Sequence, residues 1–156
     1  MIYTTIDSPI GELLLAGEDD ALCALHMDGK PSVRWARDDD AFPAAREQLA
    51  EYFAGHRRDF DLELELAGTP FQREVWAALR EIPYGETISY GELARRVNRP
   101  WASRAVGAAN GRNPVAIIVP CHRVIGSDGT LTGYGGGLER KRTLLELERG
   151  VLPLMA

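Results

Sequence analysis

Short apolar runs rich in residues that favour β-strands occur along the first part of the chain, separated by polar segments. Three such runs, residues 1–6, 12–17 and 21–27, are separated by Asp-, Gly- and Pro-containing segments that favour turns. Residues 60–66 alternate strictly between apolar and acidic side chains, so we expect a strand with one buried face. Apolar residues at helical spacing predict a helix over residues 42–53.

From residue 69 onward the apolar spacing becomes helical. A capping box with proline at the first helical position, Thr-Pro-Phe-Gln at 69–72, predicts a helix to residue 81. A second capping box, Ser-Tyr-Gly-Glu at 89–92, predicts a helix to residue 97. After a three-residue break, a third helix is expected over residues 101–111, and this pair matches a helix-turn-helix. A last helix is expected over residues 138–149.

These patterns predict an α+β fold in two parts. Residues 1–68 form a small N-terminal α/β domain with an antiparallel sheet, and residues 69–156 form a mainly helical domain that contains the helix-turn-helix. No apolar run approaches the roughly 18 to 20 residues of a membrane span, and the N-terminus is unlike a signal peptide. Two cysteines, Cys23 and Cys121, cannot build a disulfide framework. We therefore expect a cytoplasmic protein without membrane contact.

The net charge of −5 conceals an asymmetry along the chain. Residues 1–69 contain 15 acidic and 6 basic side chains, whereas residues 70–156 contain 8 acidic and 12 basic ones. Between residues 95 and 123 there are six arginines and no acidic residue. Such a stretch creates a positive field that suits a polyanion. On charge alone, pairing of these arginines with acids from elsewhere in the fold is an equal alternative.

The third predicted helix is unusually rich in small residues, which leave Arg104 as its longest projecting side chain. Small residues allow a backbone to come close to another surface, at some cost in helix propensity. The partner is either another helix of the protein or a nucleic acid, and the arginines favour the nucleic acid. Trp101, in the break before this helix, either covers the turn, as we expect, or stacks near the nucleic acid.

The most specific chemistry follows the apolar run 115–120, where Cys121 is followed at once by His122 and Arg123. A thiol is nucleophilic as the thiolate, and a neighbouring His or Arg lowers the thiol pKa from about 8.5. Adjacent side chains of an extended chain point to opposite sides, so His122 needs a turn or a bridging water to reach Cys121. Glu148 is a candidate to orient that base. A buried, inert cysteine is the alternative.

Several spaced motifs resemble the O6-alkylguanine-DNA alkyltransferase family, and together they cover nearly the whole chain. They are Pro-Cys-His-Arg-Val at 120–124, Tyr-Gly-Gly-Gly-Leu at 134–138, Glu148, Ile-Pro-Tyr-Gly-Glu-Thr at 82–87, Ser-Tyr at 89–90, Arg-Ala-Val-Gly at 104–107 and Asp-Ser-Pro-Ile-Gly at 7–11. The resemblance implies direct-reversal DNA repair. The protein would bind double-stranded DNA carrying O6-alkylguanine through a helix-turn-helix in the minor groove and flip out the damaged base. The alkyl group would then pass irreversibly to Cys121 in one turnover, with no cofactor.

The resemblance also implies a role for each matching residue. His122 acts through a water as the base, Glu148 orients it, Asn113 braces the turn before the acceptor, and Tyr90 donates a proton toward guanine N3. The base pocket is lined by Tyr134, Val124, Gly135 and Gly136, with Lys141 supporting Tyr90. The DNA contacts are Arg104, which takes the place of the flipped base, together with Ser103, Ala105, Gly107, Asn110, Arg95, Arg96 and Arg123.

Two other function classes compete with this prediction. A non-catalytic lesion-binding protein would lack the acceptor cysteine, and a cysteine hydrolase would not explain the acid-free arginine stretch. Some relatives carry zinc in the N-terminal domain, but Cys23 and His26 are too few ligands for a closed site. We expect Cys23 to be buried, His26 to be structural and no metal to bind. We also expect a monomer. Acceptance of O4-methylthymine and cooperative binding to DNA stay open.

Overall fold

The computed structural model describes residues 1–150, so the last six residues of the expected second part lie outside the described residues. The first part is a four-stranded sheet in the order β3-β2-β1-β4. Its strands are β1 (Ile2–Ile6), β2 (Leu13–Glu18), β3 (Ala21–Met27) and the two-residue β4 (Ala36–Arg37). The first three pair antiparallel as predicted, and the unpredicted β4 pairs parallel with β1. Helix α1 (Pro43–Phe53) follows.

The segment 60–66 alternates between half-buried and exposed side chains as expected, but it is not a regular strand. It pairs with β3 only around Leu22, whose N–H donates to the Glu63 carbonyl at 2.9 Å. Further along the same edge of β3, Leu25 pairs instead with residues 114–116 of the second part. The edge of β3 is therefore shared between two segments, and neither continues far enough to form a strand.

The second part is mainly helical, and the α+β fold predicted from the sequence is confirmed. Its elements are α2 (Pro70–Arg80), β5 (Ile88–Ser89), α3 (Tyr90–Arg96), α4 (Ser103–Gly111), β6 (Val124–Ile125), which pairs parallel with β5, and α5 (Leu138–Glu148). Helices α3 and α4 form the helix-turn-helix. The α4 helix begins two residues later than predicted, and no side chain caps its N-terminus.

The two predicted capping boxes differ in outcome. At α2 both hydrogen bonds are present, from Gln72 N–H to the Thr69 hydroxyl and from Thr69 N–H to the Gln72 side chain. At α3 the Ser89 hydroxyl accepts from the Glu92 N–H, but the Glu92 carboxylate turns toward Arg95 and Arg96. Nearby cations compete with the backbone for this carboxylate, so only half of the second box forms.

One apolar core runs through both parts of the chain. It contains Leu25 of β3, Leu49 of α1, Trp76 of α2 and Leu144 of α5 in a single contiguous cluster. Because the two parts share this core, the boundary between residues 68 and 69 stays a prediction. The pairing of Leu25 with residues 114–116 holds the segment that leads to Cys121 against the sheet. Within residues 1–150, no helix is long and apolar enough to cross a bilayer.

Candidate active site and nucleic-acid interface

Cys121 begins a single 3-10 turn, Cys121–Arg123, directly after the apolar segment. Asn113 fixes the loop before it, because its side-chain oxygen accepts from the Val115 N–H at 3.0 Å and its amide donates to the Val119 carbonyl at 2.7 Å. The turn changes the direction of the backbone, so the side chains of Cys121 and His122 are not forced to opposite sides as in an extended chain. Cys121 is only 7% exposed.

The carboxylate of Glu148, at the end of α5, is the acceptor on which three buried side chains converge. Its Oε2 lies 2.7 Å from Nε2 of His122 and 2.6 Å from the hydroxyl of Tyr52. Arg123 donates from Nε to Oε1 at 2.8 Å and from Nη2 to Oε2 at 3.0 Å. All four side chains are buried.

This arrangement distinguishes the two ring nitrogens of His122, because Glu148 contacts only Nε2. Burial alone would raise the pKa of Glu148, but the charges and hydrogen bonds of His122 and Arg123 outweigh it and hold that pKa well below its usual range. An ionised carboxylate only accepts, so Nε2 of His122, which contacts it, carries a proton. Nδ1 is the other nitrogen of this ring, and within residues 1–150 this buried atom has no hydrogen-bond partner.

The thiol of Cys121 is not activated by its resting surroundings. Burial raises the pKa of Cys121, while a hydrogen bond with the Asn113 side chain and the charge of Lys141 act in the opposite direction without overcoming it. The resting group is therefore a protonated thiol at neutral pH. A reaction at this sulfur therefore needs a base.

A cavity of about 360 Å³ opens onto Cys121, within the range of volumes that hold small ligands. Of the predicted pocket residues, Tyr134, Gly135 and Gly136 line it. His26 and Met27, at the end of β3, form part of its wall, which the sequence did not indicate. A Cβ on Gly136 would overlap the Met27 sulfur and lie 3.0 Å from the Tyr134 ring, so a larger residue here would require the Met27 and Tyr134 side chains to shift.

Val124, also predicted to line the pocket, is fully buried and is not among the lining residues, and Lys141, predicted to support Tyr90, is fully buried as well. The fully buried Lys141 ammonium donates to the carbonyls of Val124 at 2.7 Å and Thr132 at 2.8 Å. The hydroxyl of Tyr90 donates to the same Thr132 carbonyl at 3.2 Å. Lys141 therefore meets Tyr90 at one carbonyl group and holds the loop that leads to Tyr134.

Helix α4 has one face in the core and one face in solvent. Val106 and Ala109 are buried, and the Trp76 indole donates to the Ala109 carbonyl at 2.8 Å. The exposed positions are Ser103, Arg104, Ala105, Ala108 and Gly111, and Gly107 is half-buried. Small residues thus permit close helix packing inside the protein and also leave a flat outer face with Arg104 projecting from its first turn.

The expectation that Asn110 faces DNA is wrong. It lies one helical turn after Val106, on the buried side of α4, and is 4% exposed. Its amide donates to the Cys121 carbonyl at 3.4 Å. Asn110 therefore supports the backbone of the acceptor residue from below.

The chain matches two family models that together span nearly all of it. Residues 1–66 match the ribonuclease-like domain of 6-O-methylguanine DNA methyltransferase, and residues 70–150 match the DNA-binding domain of the same family. The chain belongs to the 6-O-methylguanine DNA methyltransferase family.

Individual relatives agree with this assignment along their whole length. The methylated-DNA–protein-cysteine methyltransferase of Mycolicibacterium paratuberculosis is 60% identical over 151 residues, which cover 94% of this chain and 92% of the relative. That of Methanosarcina acetivorans is 52% identical, with coverage of 95% and 98%. The crystal structure of Mycobacterium tuberculosis OGT in complex with DNA superposes with a TM-score of 0.94 at 58% identity, with coverage of 98% and 96%.

The arginine-rich stretch of this methyltransferase is partly neutralised by acids from outside it. Glu92 binds both Arg95 and Arg96, and Glu74 binds Arg99 at 3.1 Å. Within residues 1–150, Arg104 and Arg112 form no ion pair. Within residues 95–123, the positive charges without an ion pair therefore lie at the two ends of α4.

The exposure of two side chains in this methyltransferase differs from what their predicted roles require. Arg123, expected to contact DNA, is buried and binds Glu148 and the Ile82 carbonyl, so it has no access to phosphates. Trp101, expected to cover the turn, is 79% exposed, and the turn is closed by the hydrogen bond from Ala102 N–H to the Arg99 carbonyl at 2.8 Å.

Cys23 and His26 are the two candidate zinc ligands that the sequence offers in the first part of the chain. Cys23 is partly exposed instead of buried, and His26 is exposed at the cavity wall. No group of three potential metal ligands occurs in the described part of the chain.

Sequence reasoning did not identify Tyr52 or the structural role of Arg123. Tyr52 lies in the helix predicted over residues 42–53, and its ring is part of the core. Its hydroxyl reaches a carboxylate 96 residues away, and no local pattern carries that information. The position of Arg123, next to Cys121 and His122, could have suggested a counter-ion for Glu148, since buried carboxylates are paired.

Removing Arg123 is expected to destabilise the fold strongly. Arg123→Ala leaves Glu148 buried without its permanent counter-charge, and breaking a buried ion pair in this way costs about 3–5 kcal/mol. The free energy of unfolding from urea titration measures the loss. Arg96→Ala, which removes an exposed partner of Glu92, should cost less than about 1 kcal/mol. Equal losses in the two variants would contradict the assigned role of Arg123.

Proposed function

We propose that this chain repairs alkylated DNA by moving the alkyl group from O6 of guanine to Sγ of Cys121. The observation that carries the proposal is the buried thiol at a cavity of about 360 Å³, followed in the chain by a histidine whose Nε2 is held by Glu148. Membership of the methyltransferase family supports the same chemistry. So does the binding of DNA by the structurally similar protein of Mycobacterium tuberculosis.

The proposed transfer begins with loss of the thiol proton. Nδ1 of His122 takes it through one bridging water, and Glu148 stabilises the resulting imidazolium. The Cys121 thiolate attacks the alkyl carbon, so that the S–C bond forms while the C–O6 bond breaks and its electron pair goes to guanine. The hydroxyl of Tyr90 turns from the Thr132 carbonyl to donate a proton toward guanine N3, and the proton taken by His122 returns through solvent to the Tyr90 phenolate. The base leaves neutral.

The product is a thioether, which is chemically stable under the conditions of the reaction. Because none of the proposed steps returns a proton and an electron pair to sulfur, the acceptor is consumed. We therefore infer a single turnover for each molecule, with no cofactor in the reaction. A cysteine hydrolase would differ, because water would release its acyl intermediate and free the thiol.

Intact mass measurement tests the transfer directly. After mixing with excess duplex that contains O6-methylguanine, the protein should gain one methyl group, which peptide mapping should place on Cys121. Cys121→Ser should gain none and still bind the duplex, because serine keeps the shape of the site.

The alternatives give different results in the same experiment. An unmodified protein that retards the duplex on a gel would identify a lesion-binding module. More repaired base than protein would identify a turnover enzyme. Either result would contradict the proposed single-turnover transfer.

The outer face of α4 is the proposed contact with DNA. Its exposed small residues allow the helix backbone to approach a groove, and Arg104 projects from it without an ion pair in the described residues. A repair protein must accept any sequence, so contacts to phosphates and groove shape suit it better than base readout. We place α4 in the minor groove, with Arg104 filling the space of the flipped base.

Arg104→Ala is expected to slow repair of duplex DNA about 10- to 100-fold, because flipping a base costs a few kcal/mol that the arginine no longer offsets. Reaction with the free base O6-benzylguanine needs no flipping and should keep its rate. Single-turnover rates on the two substrates measure the difference. Arg34→Ala, an exposed arginine outside α4, should change neither rate. Equal losses on both substrates in Arg104→Ala would disprove the finger role.

Trp101 belongs to the same proposed face, because it is exposed two residues before α4 begins. Aromatic rings on such surfaces stack on nucleic-acid bases or sugars. Duplex binding should therefore quench tryptophan fluorescence in the wild type and in Trp35→Phe, but much less in Trp101→Phe. Quenching that persists in Trp101→Phe would show that this ring does not contact DNA.

A further inference from the structure

We infer that Tyr52, in helix α1, is a positioning residue for the alkyl transfer and acts on it through Glu148. This inference rests on the proposed function. The Tyr52 hydroxyl lies 2.6 Å from Oε2 of Glu148, the same oxygen that Nε2 of His122 contacts at 2.7 Å. The first part of the chain thus reaches the group that orients the base.

The contact is built into the core and is not a chance encounter of surface groups. Tyr52 is fully buried, and its ring packs edge-on against Phe53 at 5.2 Å and Tyr84 at 6.2 Å, with Phe60 at 5.4 Å. Burial, followed by the charge of Glu148, holds the pKa of Tyr52 well above its usual value, so the hydroxyl keeps its proton. Tyr52 is therefore a fixed donor.

Besides Tyr52 and His122, Arg123 also donates to Oε2 of Glu148, at 3.0 Å. Tyr52 and Arg123 approach from different elements, so together they fix the direction in which Glu148 faces His122. The hydrogen bond from each donor also stabilises the negative charge on Oε2 of Glu148. The strength with which Glu148 holds a proton on His122 therefore depends on Tyr52.

Removing the Tyr52 hydroxyl has two consequences for the base. The carboxylate loses a contact that sets its direction, and its uncompensated charge holds the imidazolium form of His122 more tightly. As the pH falls, His122 then becomes protonated, and stops acting as a base, at a higher pH than in the wild type. Transfer should slow at neutral pH and recover as the pH rises.

The other ionisable groups around Glu148 stay in place when Tyr52 is changed. They are Arg123 in the 3-10 turn, Tyr84 after α2 with Arg58 over its ring at 5.3 Å, and Tyr134 before α5. Arg123 is a permanent cation, and burial raises the pKa of Tyr84 and of Tyr134, so neither phenol ionises near neutrality. A shift in the pH profile is therefore attributable to Tyr52.

Tyr52→Phe keeps the ring in the core and removes only the hydroxyl. Its single-turnover rate with free O6-benzylguanine should be measured between about pH 5 and 9, the range in which histidine titrates. We expect a rate about tenfold lower at neutral pH, as for the loss of one hydrogen bond to a charged group. The acid limb should move to higher pH and the deficit should shrink in base. Tyr84→Phe, which removes a nearby phenol that makes no hydrogen bond to Glu148 in the structure, should keep the wild-type profile.

A purely structural role for Tyr52 predicts different results. An unchanged acid limb in Tyr52→Phe, with either a wild-type rate or a loss that is uniform across pH, would overturn the inference. Titration of the His122 ring nitrogens by NMR provides a readout that needs no transfer. The midpoint should rise in Tyr52→Phe, and an unmoved midpoint also overturns the inference. If the wild type itself does not transfer the alkyl group, the proposed function fails, while the NMR titration still decides the role of Tyr52.

Discussion

An ionised carboxylate buried in the core is the constraint on which the rest of the site depends. Removing such a group from water costs several kcal/mol, and only close, well-oriented donors offset that cost. Glu148 meets this requirement with three donor side chains from two elements: Tyr52 in α1, and His122 and Arg123 in the 3-10 turn. Arg123 also donates to the Ile82 carbonyl at 2.7 Å, which ties in the end of α2. The need to satisfy one charge therefore fixes the base beside the acceptor cysteine.

The loop that walls the cavity depends in a similar way on two cations of α5, the buried Lys141 and the partly buried Arg140. Lys141 holds it from below through the Val124 and Thr132 carbonyls. Arg140 holds it from the side, because it donates to the Gly136 carbonyl, to the Ile10 carbonyl and to the carboxylate of Asp28. Consecutive residues of α5 thus connect the cavity wall to the core and to the sheet. The shape of the cavity is consequently a property of both parts of the chain.

The sequence predicted those features that local chemistry determines. The capping box at Thr69, the helix-turn-helix and the apolar run before Cys121 all follow from residue types at fixed short spacings. Features that depend on distant partners could not be obtained in this way. The Tyr52 hydroxyl and the Arg123 guanidinium find their roles only when α5 brings Glu148 to them. The error at Asn110 had a local remedy, because its spacing from Val106 already places it on the buried face of α4.

The shared edge of β3 has a consequence for the behaviour of the whole molecule in a crowded solution. An uncovered sheet edge offers unpaired N–H and C=O groups to any other chain with an extended segment, and such pairing is a route to aggregation. Here Leu22 is bonded to residues 63–65 and Leu25 to residues 114–116. On the opposite side of the sheet, the two-residue β4 pairs with the start of β1. The short segments that pair with the two edges of the sheet thereby protect the protein against edge-to-edge association.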